Sequence, residues 1–232
     1  MHVDSSTPAA RARLPAPLAC HIEHTLLRPE ASHAQLTQLC EEARQHQFAG
    51  ICVHSTALPL CRPLLVGTPV RLVTVIGFPL GAVSTAVKIC EVTEARRLGA
   101  EELDMVLHLG ALMAGDLAYV QADIAAVVAA AAPLPVKVII ETNLLTAAQI
   151  AQAAGLAAAA GAAYVKTCTG FAAGPGARVE DVRQLRALLP PAVQIKASGG
   201  IREAAGARAL LAAGASRLGA SASVALVTPA RA

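Results

Sequence analysis

Tyr164-Val165-Lys166-Thr167-Cys168-Thr169-Gly170 is a short β-branched run with one lysine inside it, and a glycine-rich turn from Gly170 to Gly176 follows. Thirty residues after Lys166 the arrangement recurs as Gln194-Ile195-Lys196-Ala197-Ser198-Gly199-Gly200. In a strand buried on both faces a lysine needs a reason, because an unpaired buried ammonium is costly. One such lysine is explained by a strand end that reaches solvent. Two in matching positions of neighbouring strand-like runs, each followed by a glycine turn, point to a shared site.

Outward from these two runs the same unit repeats. Segments with strand character are read at Cys20–Leu27, Phe48–His54, Arg71–Gly77, Leu103–Leu109, Val136–Thr142 and Arg217–Ser221, besides the two lysine runs. Helical patterns lie between them: Ser32 caps one running to about Gln47, and Leu58–Leu65 is a short one. Ser84 or Thr85 starts another that Gly99 stops, and Asp116–Ala131, Ala147–Ala160, Val179–Leu189 and Glu203–Ala213 follow; Ser223 begins a closing segment. Each strand begins about 23 to 35 residues after the last, the length of one βα unit. Eight units predict a single α/β domain, a (β/α)8 TIM barrel. The rival, a doubly wound open sheet, is weakened because no early strand is followed by G-x-G-x-x-G.

Composition agrees with that reading. The chain of 232 residues is 55% hydrophobic but only 2% aromatic, so its interior must be filled by Val, Ile, Leu and Ala. A net charge of +3 with no basic block argues against nucleic acid as a partner. The six cysteines are dispersed without a C-x-x-C pair and read as reduced thiols of a cytoplasmic protein. Residues 1–20, rich in Ala, Pro and Arg, lack the apolar run of a signal peptide and are expected to be a flexible lead to a single domain over 21–232. The uncharged stretch Asn143–Val165 is long enough to span a bilayer, yet it carries Asn143, Thr146, Gln149 and Gln152 and is mostly small residues. It is read as a strand–helix–strand connection, so no membrane partner is expected.

In a barrel, the C-terminal ends of the strands share one site. Asp104, Lys166 and Lys196 fall on the fourth, sixth and seventh strands. Only a neutral amine is a nucleophile, and free lysine titrates near ~10.4. A second ammonium about 4 Å away costs roughly 4 kcal/mol at an effective dielectric of about 20, equivalent to about three pKa units. A lysine pair can thereby supply a neutral amine at neutral pH, and that amine can condense with a carbonyl to a Schiff base. The protonated imine is an electron sink, and a carboxylate such as Asp104 can move protons through a water.

Five motifs then resemble one family. Val165–Phe171, Lys196–Arg202, Glu102–Ala111, Thr74–Gly81 and His24–Pro29 are similar, in order and spacing, to deoxyribose-phosphate aldolases, and the similarity runs from about His21 to Val224. The resemblance implies a class I aldolase that reversibly cleaves 2-deoxy-D-ribose 5-phosphate to D-glyceraldehyde 3-phosphate and acetaldehyde, with no metal and no cofactor. It implies Lys166 as the Schiff-base lysine, Lys196 as the lysine that lowers the pKa of the first, and Asp104 as the proton relay. Gly170, Gly199, Gly200, Gly219 and Ser221 match the family's phosphate positions, and Thr169 and Thr25 its substrate pocket. Glycine turns leave backbone N–H groups open to an anion, which is why these residue types suit phosphate. A homodimer is the assembly the resemblance implies.

The chain also departs from the family pattern. Glu23 stands where an aspartate is common, Arg28 where a lysine is, and His54-Ser55 where Asn-Pro is. At the last phosphate turn Ala222 replaces a second serine, with Ser223 next. One neutral hydrogen bond lost there is worth about 0.5–1.5 kcal/mol. A sugar-phosphate-binding protein and an aldolase for a non-phosphorylated aldehyde therefore stay open as alternatives at this point.

Other candidates reduce to structure. His21 and His24 have H-x-x-H spacing, but on a strand they point to opposite faces, against a zinc site. Cys168 and Cys52 are read as buried thiols, Lys137 and Glu141 as a polar network inside or at the end of the barrel, and Lys88 as a residue on a helix face.

Overall fold

The computed structural model describes residues 17–228. Eight parallel strands close into a barrel in chain order, from β1 (Ile22–Leu26) through β2 (Gly50–Val53), β3 (Arg71–Ile76), β4 (Glu102–Val106), β5 (Val136–Ile139), β6 (Tyr164–Lys166) and β7 (Gln194–Ser198) to β8 (Arg217–Ala220). β8 pairs back onto β1 through Ile22 with Leu218 and Glu23 with Gly219. The (β/α)8 barrel read from the sequence is therefore the fold.

Helices α1 (His33–Gln45), α2 (Leu58–Leu65), α3 (Thr85–Arg97), α4 (Leu109–Met113), α5 (Leu117–Ala131), α6 (Ala147–Ala159), α7 (Val179–Leu188), α8 (Ala204–Ala212) and α9 (Ser223–Val227) connect the strands and close the chain. Local chemistry sets several of their starts. Ser32 and Thr146 each accept a backbone N–H three residues on, from Gln35 and Gln149, whose side chains reach back in reciprocal capping boxes. Asp116 accepts from Tyr119 N at 3.1 Å and begins α5. The uncharged stretch after Asn143 is α6 and its flanks, and among the described residues no helix is long and apolar enough to cross a membrane.

The main core lies between strands and helices and is built almost wholly from Val, Ile, Leu and Ala, with Phe48 its largest apolar side chain. A small second cluster, Leu27, Cys52, Val73 and Val75, fills the β1–β3 side of the barrel interior.

Several boundaries differ from the sequence reading. The fourth strand stops at Val106, and the expected end at Leu109 instead opens α4, capped by the His108 ring accepting from Ala111 N. The fifth stops at Ile139 because Glu141 takes a left-handed conformation, φ 57°, which no strand continues through. The closing segment after Ser223 is a helix. Of the expected lead, residues 1–16 lie outside the described residues, whereas Leu18–His21 form a 3-10 turn whose Leu18 is buried in the core.

Candidate active site

Strand alternation sends one side chain in two into the barrel. On β4 these are Glu102 and Asp104, on β5 Lys137, on β6 Lys166, on β7 Lys196; all are buried. The register sets their heights: Asp104 pairs with Lys137, and Lys166 with Lys196. The result is a charged half-interior facing the apolar cluster of β1–β3.

Asp104 is its hub. Its Oδ2 accepts from Lys166 Nζ at 2.6 Å and from Lys196 Nζ at 2.6 Å. The two amines thus lie within about twice that distance of each other. Asp104 Oδ1 accepts from Lys137 Nζ at 2.9 Å. Beneath, Lys137 also reaches Glu102 Oε2 at 2.7 Å and Glu23 Oε1 at 3.3 Å. Lys196 also donates to Glu23 Oε2, and Arg217 donates to Glu23 Oε1 at 3.1 Å. Tyr164 lies under both Lys137 and Arg217, each 5.8 Å from its ring centre.

The electrostatics follow from this packing. Burial opposes the charge on Asp104, but Lys137, Lys166 and Lys196 outweigh it and hold the carboxyl well below the usual range. Burial likewise opposes the charge on Glu23, and Lys137 and Lys196 outweigh it, so its pKa is lowered. Desolvation works against the Lys196 ammonium, yet Asp104 and Glu23 raise its pKa above that of an ordinary lysine. Lys137 is raised in the same way by Asp104, Glu23 and Glu102 against its own burial. Burial, then Asp104, push the Cys52 thiol up to about 11.

Glu23, Cys52 and Asp104 bring a donor set together, with ligand atoms within 4.8 Å of one another. Lysine amines already occupy both carboxylates and the thiol keeps its proton, so this set suits ammonium groups rather than a metal. His21 and His24 do not meet as a pair: His21 Nδ1 contacts Ser216 O at 3.0 Å and His24 Nε2 contacts Glu42 Oε2 at 2.7 Å.

Above the network opens a cavity of about 470 Å³ at the C-terminal ends of β1, β6, β7 and β8. Lys166 reaches it, and Thr25, Thr169, Gly170, Gly199, Gly200, Gly219 and Ser221 line it, so the sequence candidates converge. Asp104 and Lys196 lie behind the cavity wall, joined to Lys166 through Asp104 Oδ2. The turns after β6 and β7 stack closely. A Cβ on Gly176, φ 84°, would stand 2.2 Å from Gly199 O, and Ala177 N donates to that carbonyl at 2.9 Å. Only glycine allows this approach.

Two hydroxyls near the cavity, one of them the expected donor Thr169, prove to be engaged. Thr169 Oγ1 donates to Glu141 Oε2. Ser223, the nearest substitute for the serine missing at Ala222, is buried and donates to Ala220 O at 2.8 Å. The sequence reading noted Arg28 and Glu23 only as departures from the family pattern and passed over Arg202, Glu102 and Arg217; Arg28 and Arg202 lie on the cavity wall, and Glu23, Glu102 and Arg217 below it. Their signal was available: each is a charged residue in, or just beyond, a strand. Lys88 is on α3 but not on its outer face. It is fully buried, bonded to Asp123 Oδ2 at 2.6 Å and Val106 O at 3.0 Å.

A closed parallel barrel whose buried lysines meet a polar cavity at the strand C-termini defines a TIM-barrel enzyme. Comparison with known proteins narrows the class. The chain belongs to the DeoC/LacD family of aldolases, whose sequence model matches residues 23–225. It is 50% identical over 212 residues to the deoxyribose-phosphate aldolase of Exiguobacterium sibiricum, covering 91% of this chain and 96% of that one. It is 51% identical over 203 residues to that of Coprothermobacter proteolyticus, covering 88% and 92%. The solved deoxyribose phosphate aldolase of Aeropyrum pernix, described as tetrameric, superposes with a TM-score of 0.84 at 32% identity, covering 90% of this chain and 89% of that one.

Proposed function

We propose that the chain reversibly cleaves 2-deoxy-D-ribose 5-phosphate to D-glyceraldehyde 3-phosphate and acetaldehyde through a Schiff base on Lys166. The observation that carries this reading is the convergence of Lys166 and Lys196 on the single oxygen Asp104 Oδ2. The names of the related aldolases support the choice of substrate.

With every group ionised, the network holds four cations and three carboxylates. Lys166 can therefore give up a proton and leave the buried cluster balanced. Its amine adds to C1 of the open-chain sugar, and loss of water gives the protonated imine. Asp104, through a water, takes the proton from the C3 hydroxyl. The C2–C3 bond breaks, its electrons pass into the imine to form an enamine, and C3 leaves as the aldehyde of glyceraldehyde 3-phosphate. Protonation of the enamine at C2 and hydrolysis release acetaldehyde and restore Lys166. Lys196 is the fixed positive charge beside the nucleophile. No metal or organic cofactor enters these steps.

The phosphate goes to the backbone N–H groups around Gly170, Gly199, Gly200, Gly219 and Ser221, with Arg28 and Arg202 adding positive charge at the wall. The wider organisation proposed is a single catalytic domain that takes in the buried Leu18, assembled as a homodimer. Six free cysteines support a reducing, cytoplasmic setting.

Borohydride reduction in the presence of acetaldehyde, read by mass spectrometry, tests the mechanism. A two-carbon adduct on Lys166 is expected, and Lys166→Ala should lose both adduct and turnover. Near-native turnover in Lys166→Ala would overturn the assignment. No adduct on folded protein would favour a sugar-phosphate-binding role. Catalytic efficiency on deoxyribose against its 5-phosphate tests the phosphate site, and a preference below about tenfold, or ~1.4 kcal/mol, would count against it.

A further inference from the structure

A second cavity, of about 120 Å³, opens at the same mouth beside the first. The ends of β3 to β6 form it, with Leu80, Val106, Ile139, Leu144 and Phe171 among its walls. Val106 and Ile139 lie two residues beyond Asp104 and Lys137 and so share their interior face. Both are buried, yet neither belongs to either apolar cluster. Ile139 is the ladder partner of Lys166. Thr169 and Phe171 wall both cavities. The polar and apolar lobes therefore meet at Thr169 and Phe171, with Lys166 on the polar side and its ladder partner Ile139 on the apolar side.

This lobe offers a ligand little to hydrogen-bond. Glu141 is the one ionisable side chain lining it, and both its oxygens accept from Thr169. Around the rim, Leu80 and Phe171 are 76% and 51% exposed.

We propose that the apolar lobe is a subsite for the alkyl chain of a carbonyl compound held on Lys166, so that straight-chain aldehydes of about six carbons bind there. The inference rests on Lys166 as the imine-forming residue. The amine adds to the aldehyde carbon, the C–N bond forms, and the carbonyl oxygen leaves as water. The alkyl chain then runs along Ile139 into the lobe. A volume of about 120 Å³ is the share of about four water molecules, so about four methylenes fill it. Each methylene buried strengthens binding about fourfold.

The test is borohydride trapping on the intact protein with acetaldehyde, butanal, hexanal and octanal, recording the aldehyde concentration that half-saturates the Lys166 adduct. That concentration is expected to fall at least tenfold from acetaldehyde to hexanal and to fall no further at octanal. Ala172→Asp and Leu144→Asp, which put a charge at the lobe from two separate loops, should each reduce the hexanal-to-acetaldehyde preference at least tenfold. An acetaldehyde adduct without tighter trapping of hexanal would overturn the subsite and leave the aldolase reading standing. So would a preference that both variants retain. Failure to trap even acetaldehyde would overturn both.

Discussion

Lys196 shares a carboxylate oxygen with Lys166 and is held by Glu23 on its other side. Its pKa is raised, so it stays charged through the neutral range. A fixed cation at that position favours neighbours that shed protons. Replacing Lys196 with Met keeps the side-chain length and removes the charge. Reductive trapping of acetaldehyde on Lys166 should then become slow at neutral pH and recover as pH rises, about tenfold per pH unit over the limb. A variant damaged only in packing would lose rate equally at every pH. At this scale the convergence of the two strand lysines was legible, because a lysine in a buried strand has few innocent explanations. Their partners were harder to read. Glu23, Glu102 and Arg217 could be given a face from alternation alone, but which carboxylate meets which amine depends on the strand register.

The elements themselves were legible where a cap or a glycine marks them, as at Ser32, Thr146 and Gly99. They were less so where a strand ends without such a signal. β4 and β5 each stop short of the apolar run that suggests them, since Leu107 and Ile140 are buried against the helices whether or not the ladder continues. Lys88 shows the same limit from the helical side. The spacing of α3 lines Lys88 up with the buried Val92 and Ala95, but the groups that receive its charge come from β4 and α5, which that spacing does not show. Thr85 on α3 also donates to Asp123 at 2.8 Å. Lys88→Met should leave the Asp123 carboxylate buried without its cation, at a cost of about 3–5 kcal/mol. Lys88→Met combined with Asp123→Leu should recover most of that loss, since a buried ion pair is often replaceable by apolar side chains. Urea unfolding of both variants checks this. Equal destabilisation of single and double variants would mean that shape rather than charge holds α3 to α5.

The whole barrel divides its interior between an apolar β2–β3 side and a charged side that includes Glu23 of β1, and that division governs how stability answers to pH. Asp104 and Glu23 have lowered pKa values, so the stability they contribute is full above the ordinary carboxylate range near ~4. It is lost as pH falls through their folded-state values. Lys137 and Lys196 have raised pKa values, so their contribution is full below the ordinary lysine value of ~10.4. It is lost as pH rises through the folded-state values. Stability against urea should therefore form a plateau from about pH 5 to about pH 10 and fall on both sides. The exposed pairs Arg28–Glu30, Arg71–Glu101 and Arg97–Glu94 cannot produce this shape, because solvent-exposed pairs contribute little. Salt separates the two sources: screening weakens exposed pairs and hardly touches buried ones. The urea midpoint measured from pH 3 to pH 11, at low salt and at about 0.5 M, should give profiles of the same shape. If high salt erased the acid and alkaline limbs, the charges that set the pH dependence would lie on the surface, and the buried network would not be what ties folding to proton binding.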